Sequence, residues 1–265
     1  MELMRTFLRT QVLEDSSFMN RQGESDLYYT AFGWALAHLL KLPLEAEKQA
    51  SYLAQQRPEE LDLVHYAAFR RCQLAQRLNQ VGNIRTFFEM NRRRALPSLE
   101  SFSTLPLDDA ASPYTQFLWL SLQEDCGQAK VAYAQPVDFS RYQTPEGGYS
   151  NIAGHTTAAI NATTAALSVL GQQQGYRSRP ALSYLLNSQE STGGFKATAS
   201  APIPDLLSTA TALFTLKNYG VTPHRDATDF VEAHWLDNGS FAPTLLEEES
   251  DVEYLFYGLL ALGSL

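Results

Sequence analysis

Cysteine is nearly missing from this chain of 265 residues: only Cys72 and Cys126 occur, and they form no Cys-x-x-Cys pair. That excludes a disulfide framework and a cysteine-rich zinc site. Charge is also scarce at 18%, and positive charge scarcer still, with 20 Lys+Arg against 29 Asp+Glu, a net charge of −9 and a pI of about 5.0. A polyanion such as nucleic acid or an anionic membrane surface is therefore not an expected partner. Long apolar runs are missing too. The longest late one, Tyr254 to Leu262, is too short to span a bilayer. The opening MELMRTFLRTQ reads as an amphipathic helix without the apolar core and cleavage site of a signal peptide, so a cytoplasmic location is expected. No Ser-His-Asp pattern, phosphate loop or metalloprotease motif occurs.

What is present is a repeat. Hydrophobic residues make up 45% of the chain, with 13 Tyr and 14 Phe, ample for a sizeable core. Phe195 is followed ten residues later by Asp205 and the stretch DLLSTATALFTL; Phe241 is followed ten residues later by Asp251 and DVEYLFYGLLAL. Phe18 precedes Asp26 and DLYYTAFGWALAHLL by a shorter loop, and a small residue (Gly33, Ala212, Gly258) stands seven places after each Asp. Such residues allow neighbouring helices to approach closely. Weaker copies begin at Asp62, at Ser112, and at His155 after Gly147-Gly148-Tyr149. The six starts are 36, 50, 43, 50 and 46 residues apart, room for two helices and two turns each.

Between them lies a more polar set, expected as helices over 2–13, 44–56, 81–93, 178–188 and 225–235, with a poorly defined partner near 128–140. The first set is apolar nearly all round and must be buried on several sides; the second is amphipathic, with one wet face. An inner ring wrapped by an outer ring satisfies both. An open solenoid would need polar caps, whereas this chain ends on its most hydrophobic helix. The expected fold is a single all-α domain over residues 1–265, a closed α/α toroid of six helical hairpins.

Gln143-x-x-x-Gly147-Gly148-Tyr149 and Gln189-x-x-x-Gly193-Gly194-Phe195 resemble the Gln-Gly-aromatic signature of the prenyltransferase/squalene-oxidase repeat superfamily. SDLYYTAFGWAL, PDLLSTATALFTL and SDVEYLFYGLLAL are similar to inner-helix starts of protein prenyltransferase β subunits and their stand-alone bacterial relatives. The resemblance implies an isoprenoid-handling protein that works by prenyl-diphosphate transfer or cyclisation. It also implies a zinc held by an Asp, a Cys two residues later and a His in the next repeat. Asp205 matches the Asp, but Leu207 and Tyr254 stand at the other two positions. They cannot supply three zinc ligands, so zinc is not expected and no metal-ligating residue is assigned. Magnesium is expected only alongside a diphosphate substrate. The Asp-x-Asp-Asp acid motif of triterpene cyclases is absent, with Asp108-Asp109 a partial echo.

The candidate site follows from both lines. In such a ring all inner helices run the same way, so their first residues share one rim. Asp205 and Asp251 are the candidate acids. Asp26, Tyr28, Tyr29, His155, Lys196, Glu253, Tyr254, Tyr257 and Arg21 are candidate ligand contacts. Each has a plain structural reading beside it: the aspartates as helix caps, the aromatics as core, His155 and Arg21 as loop residues, Cys72 and Cys126 as packing. Two other functions stay open. One is a non-catalytic toroid that binds a lipid or a partner peptide. The other, ranked last, is a carbohydrate enzyme working through paired carboxylates.

Overall fold

The computed structural model describes residues 1–81, 96–102, 109–128, 134–173 and 177–265. Ten α-helices are seen there: α1 (Glu2–Gln11), α2 (Leu27–Leu39), α3 (Ala46–Gln55), α4 (Leu63–Val81), α5 (Pro113–Asp125), α6 (Ile160–Gln172), α7 (Arg179–Asn187), α8 (Leu206–Asn218), α9 (Thr228–Ala233) and α10 (Val252–Leu262). The only sheet among the described residues pairs β1 (Phe18–Met19) with β2 (Ser25–Asp26), antiparallel, Phe18 opposite Asp26. Helices α2, α4, α5, α6, α8 and α10 each pack on the next, and α10 packs on α2, which closes the ring. Outside it, α1 lies on α2 and α10, α3 on α4, α7 on α6 and α8, and α9 on α10. The protein is an all-α toroid.

Burial explains the two sets. Helix α8 buries eight residues on several sides, among them Leu206, Leu213 and Leu216, and each such leucine stabilises the fold by about 1.5–3 kcal/mol relative to exposure. Helix α3 buries only Gln49, Tyr52 and Leu53. Among the described residues, no helix is long and apolar enough to cross a membrane.

One local unit recurs around the ring. A tight turn brings Val12, Gln143, Gln189 and Trp235 into bridge pairing with Phe18, Tyr149, Phe195 and Phe241, six residues on. The fifth residue of each turn has positive φ: Ser16, Gly147, Gly193 and Gly239. The aromatic then docks on its own helix. The amides of Phe18, Tyr149 and Phe195 donate to Thr30, Thr163 and Thr209 Oγ1, each at 2.9 Å. Thr30 and Thr209 donate in turn to the carbonyls of Asp26 and Asp205. A methyl on Gly33 would stand 2.2 Å from the Phe18 ring, and one on Gly258 2.2 Å from the Phe241 ring. At Gly33 and Gly258 the small residue seven places after the cap therefore makes room for the repeat's own aromatic ring. The glutamine of this motif has a visible task as well: Gln189 Nε2 donates to the carbonyls of Gly193 and Arg225, and its Oε1 accepts from the Arg225 amide, tying the turn to the approach of α9.

Two expectations need correction. The fourth inner helix begins at Ile160 with Ala159 as its N-cap, not at His155. Ala159 lies ten residues after Tyr149, the spacing of repeats five and six. The Ile160 amide donates to the Ala197 carbonyl of the next repeat, as Leu206, which follows the polar cap Asp205, does to Pro243. Over 134–140 no α-helix forms; a 3₁₀ turn at Ser140–Tyr142 stands there instead. The helix expected over 81–93 falls, beyond Val81, outside the described residues, as do Asp108 and residues 129–133.

Candidate functional site

The N-terminal ends of α10 and α2 meet at one rim. Asp251 caps α10, its Oδ1 accepting from the Tyr254 amide at 3.1 Å. Its Oδ2 accepts from Arg21 Nε at 2.8 Å, across 230 residues of sequence. The Asp251 side chain is 3% exposed. Arg21 also lies 5.3 Å from the centroid of the Tyr254 ring, a cation–π contact that adds to the ion pair. Asp251, proposed from sequence as an acid, thus has both oxygens committed to donors within the fold.

Asp26 caps α2 through the amides of Tyr28 and Tyr29. Asp62 accepts from the His65 amide at 2.8 Å, and its carboxylate lies 3.0 Å from His65 Nδ1. The other ring nitrogen of His65 stands 3.8 Å from Asp26 Oδ2. This imidazole, which the sequence reading passed over, clips α4 to α2. Asp26 holds His65 well above the usual histidine range, at about 9, with Asp62 adding to the effect. Burial works against the Asp26 charge, but His65 and the Tyr29 and Tyr28 amides outweigh it and keep that carboxyl low.

The sign of the pH effect follows. A raised histidine contributes stability that is complete below its unfolded value near 6.5 and is lost as pH climbs through about 9. A lowered aspartate contributes above its unfolded value near 3.8 and is lost in more acid solution. The clip is therefore strongest between these limits. His65 is partly exposed, so solvent screening reduces its worth, and His65→Gln is expected to cost about 1 kcal/mol at pH 6. The loss should shrink toward pH 10. Urea unfolding of both proteins across that range checks this; a cost independent of pH would refute the clip.

Asp205 caps α8, accepting from the Ser208 amide at 2.7 Å. Burial raises its proton affinity, against the hydrogen bonds from Ser208. Glu253 lies in the first turn of α10 and takes the Tyr28 hydroxyl at 2.6 Å. Burial raises its carboxyl as well, with the Asp251 charge adding and Tyr28 and Arg21 opposing. Tyr254 is raised to about 12, mainly by burial, and feels the charges of Glu253, Arg21, Asp205 and Asp251. Tyr29, also raised by burial, feels Asp251, Glu253, Arg21 and Asp26.

Behind this rim the aromatics form a continuous wall. Tyr28 meets Phe32 at 5.0 Å between centroids, Phe32 meets Phe256 at 5.1 Å and Tyr257 at 6.1 Å, and Tyr254 meets Tyr257 at 6.5 Å. Tyr114 opens α5 at the helix position that Tyr28 holds on α2 and Glu253 on α10, two residues past the cap. Tyr28, Tyr114 and Tyr257 each keep part of their surface open, yet burial is the main cause raising all three hydroxyls. All three stand on helices of the inner ring, α2, α5 and α10. Farther along, a cavity of about 480 Å³ opens between α5, α6 and α8, lined by Phe117, Ser121, Ser168 and Phe214.

Two expected contacts stand apart. His155 is an exposed loop residue whose Nδ1 lies 3.2 Å from the Thr157 carbonyl, five residues short of its helix. Lys196 pairs with Glu190 at 2.8 Å. Leu207 and Tyr254 bring no ligand atoms suited to zinc beside Asp205. Among the described residues, no group of three or more His, Cys, Asp or Glu side chains could hold a metal ion. The residue set does not fit the zinc centre.

A family model described as the prenyltransferase alpha-alpha toroid domain matches residues 129–196 and 163–265, together just over half of the chain. No curated protein matches it.

Proposed function

The chain belongs to the prenyltransferase alpha-alpha toroid domain family, and on that premise we propose that it takes an isoprenoid chain into the lumen and acts on it by acid rather than through zinc. The observation that carries this is the aromatic wall joining the first and last inner helices, Tyr28, Phe32, Phe256 and Tyr257. Such surfaces suit a prenyl tail and any positive charge developing on it. Asp205, kept protonated more readily by burial, is the proposed donor. Its proton bonds to an alkene carbon using the π electrons, the adjacent carbon becomes cationic, ring closure moves the charge, and loss of a proton at the end restores the acid. No oxidant or further reactant is required. Magnesium would enter only with a diphosphate substrate.

A second reading, binding without turnover, draws on the cations around the ring. Arg21 is held by Asp251, Arg71 by Asp125, Lys196 by Glu190, and His65 lies between Asp26 and Asp62. Gripping a diphosphate would mean breaking such pairs. Solvent extraction of the purified protein followed by mass spectrometry is expected to recover an isoprenoid, lost in Phe32→Ala/Phe256→Ala. Incubated with polyprenyl substrates, the wild type is expected to return an altered product and Asp205→Asn only the bound starting material. If both proteins return it unchanged, binding alone stands; if neither retains any isoprenoid, the lumen reading fails.

A further inference from the structure

Glu253 stands in the first turn of α10, two residues past its cap, and its surroundings are aromatic. The Tyr28 hydroxyl donates to it at 2.6 Å, and Tyr257 and Tyr114 lie close enough to feel its charge. The nearby guanidinium, Arg21, is engaged by Asp251 at 2.8 Å, and Arg71 by Asp125 at 2.9 Å. Among the described residues no basic side chain forms an ion pair with Glu253. A carboxylate drawn out of water is ordinarily paired with a cation, because the desolvation cost is otherwise uncompensated. Aromatic faces attract the same kind of partner, since their quadrupoles present negative charge to an approaching cation.

We infer that the lumen holds a site for an organic cation, with Glu253 as counter-ion inside a cage of Tyr28, Tyr114, Tyr257 and Phe32. This rests on the lumen reading above and gives the ligand a chemistry: an apolar chain carrying a permanent positive charge, an alkylammonium head, which the carboxylate and the rings would hold together. Asp251 and Asp26 cannot substitute, since Asp251 is closed by Arg21 and Asp26 by His65.

The test compares two probes with one prenyl tail, one ending in trimethylammonium and the other in a hydroxyl, by calorimetric titration. The permanent charge removes titration of the probe itself. Wild type is expected to bind the ammonium at least about tenfold more tightly than the alcohol. Glu253→Gln, which keeps size and an acceptor for Tyr28, should abolish that preference while leaving alcohol affinity unchanged. Tyr28→Phe keeps the ring and should retain most of it. The preference should also weaken as pH falls into the carboxylate range. Asp251, Arg21, Tyr28, Tyr29, Tyr114, Tyr254 and Tyr257, with Asp62, Arg71 and Asp205, are the other ionisable groups whose charges reach the site. The tyrosines, Arg21 and Arg71 do not change state there, and Asp251→Asn, Asp62→Asn and Asp205→Asn serve as controls for the remaining carboxylates. Equal binding of both probes by wild type, or a preference that survives in Glu253→Gln, overturns the counter-ion while leaving the lumen reading intact. Binding of neither probe overturns both.

Discussion

Gly239→Ala is expected to cost about 3 kcal/mol or more, enough to consume a large part of the stability of a typical domain. Two separate effects converge on this residue. Its φ of +92° is one that residues with a Cβ rarely adopt, and an added Cβ would lie 2.3 Å from the Leu3 carbonyl carbon and 2.4 Å from its oxygen. The obstacle is backbone, so no rotamer change relieves it. Leu3 belongs to α1, the outer helix of the first repeat, and Gly239 to the turn of the last. The substitution therefore wedges the ring at its seam. Gly23→Ala is the matched control: φ is +82° with nothing within 4 Å of the added carbon, so only conformational strain of about 1 kcal/mol applies. Chemical denaturation of both variants, with hydrogen exchange at 2–11 as the local readout, decides the matter. Equal losses would mean that the seam contact contributes nothing.

Arg21→Met is expected to lose about 2–3 kcal/mol. Removing one partner from a buried pair leaves an uncompensated charge at a cost of about 3–5 kcal/mol. Here the arginine is 46% exposed and Asp251 keeps its amide donor, which lowers the figure. Asp251→Asn surrenders the ion pair but keeps a capping side chain, so about 1–2 kcal/mol is expected. Asp205→Asn should stay within about 0.5 kcal/mol, because asparagine caps about as well as aspartate and no cation pairs with Asp205 among the described residues. The double variant Arg21→Met/Asp251→Asn should be less damaged than the sum of its parts, since the two residues share one interaction. Urea midpoints for the four proteins check the series. An Arg21→Met protein as stable as wild type would show that the pair is ornamental.

The fold was legible because the aromatic, the cap and the small residue recur at fixed offsets, and each offset has a physical cause. Ten residues separate Phe195 from Asp205 and Phe241 from Asp251 because the turn must return the chain to its own helix. The same offset from Tyr149 reaches Ala159, but alanine carries no capping oxygen and so gives no signal of a helix start, while His155 offered a polar one. The site was less legible, for a related reason. Caps are recognisable singly, whereas the lumen face is defined only by position relative to the cap. Two residues past it stand Tyr28, Tyr114 and Glu253; three past it stand Tyr29, His65 and Tyr254. Lining up those columns would have brought His65 and Tyr114 forward. The closure of Asp251 by Arg21 depends on a loop meeting a helix 230 residues away, and no local pattern records it.

The turn glycines carry one more consequence. Gly147 abuts Pro180, Gly193 abuts Asp226, and Gly239 abuts Leu3: the same contact links fourth to fifth, fifth to sixth, and sixth to first. In an open array the outermost units each lack a neighbour and fray before the middle, so melting spreads inward from the ends. Here no unit is outermost. Losing any one of them removes two interfaces at once, which couples the units into one cooperative transition. Cutting the covalent chain in a surface loop would leave that coupling in place, whereas prising open the seam would give the array two ends and let it melt in stages.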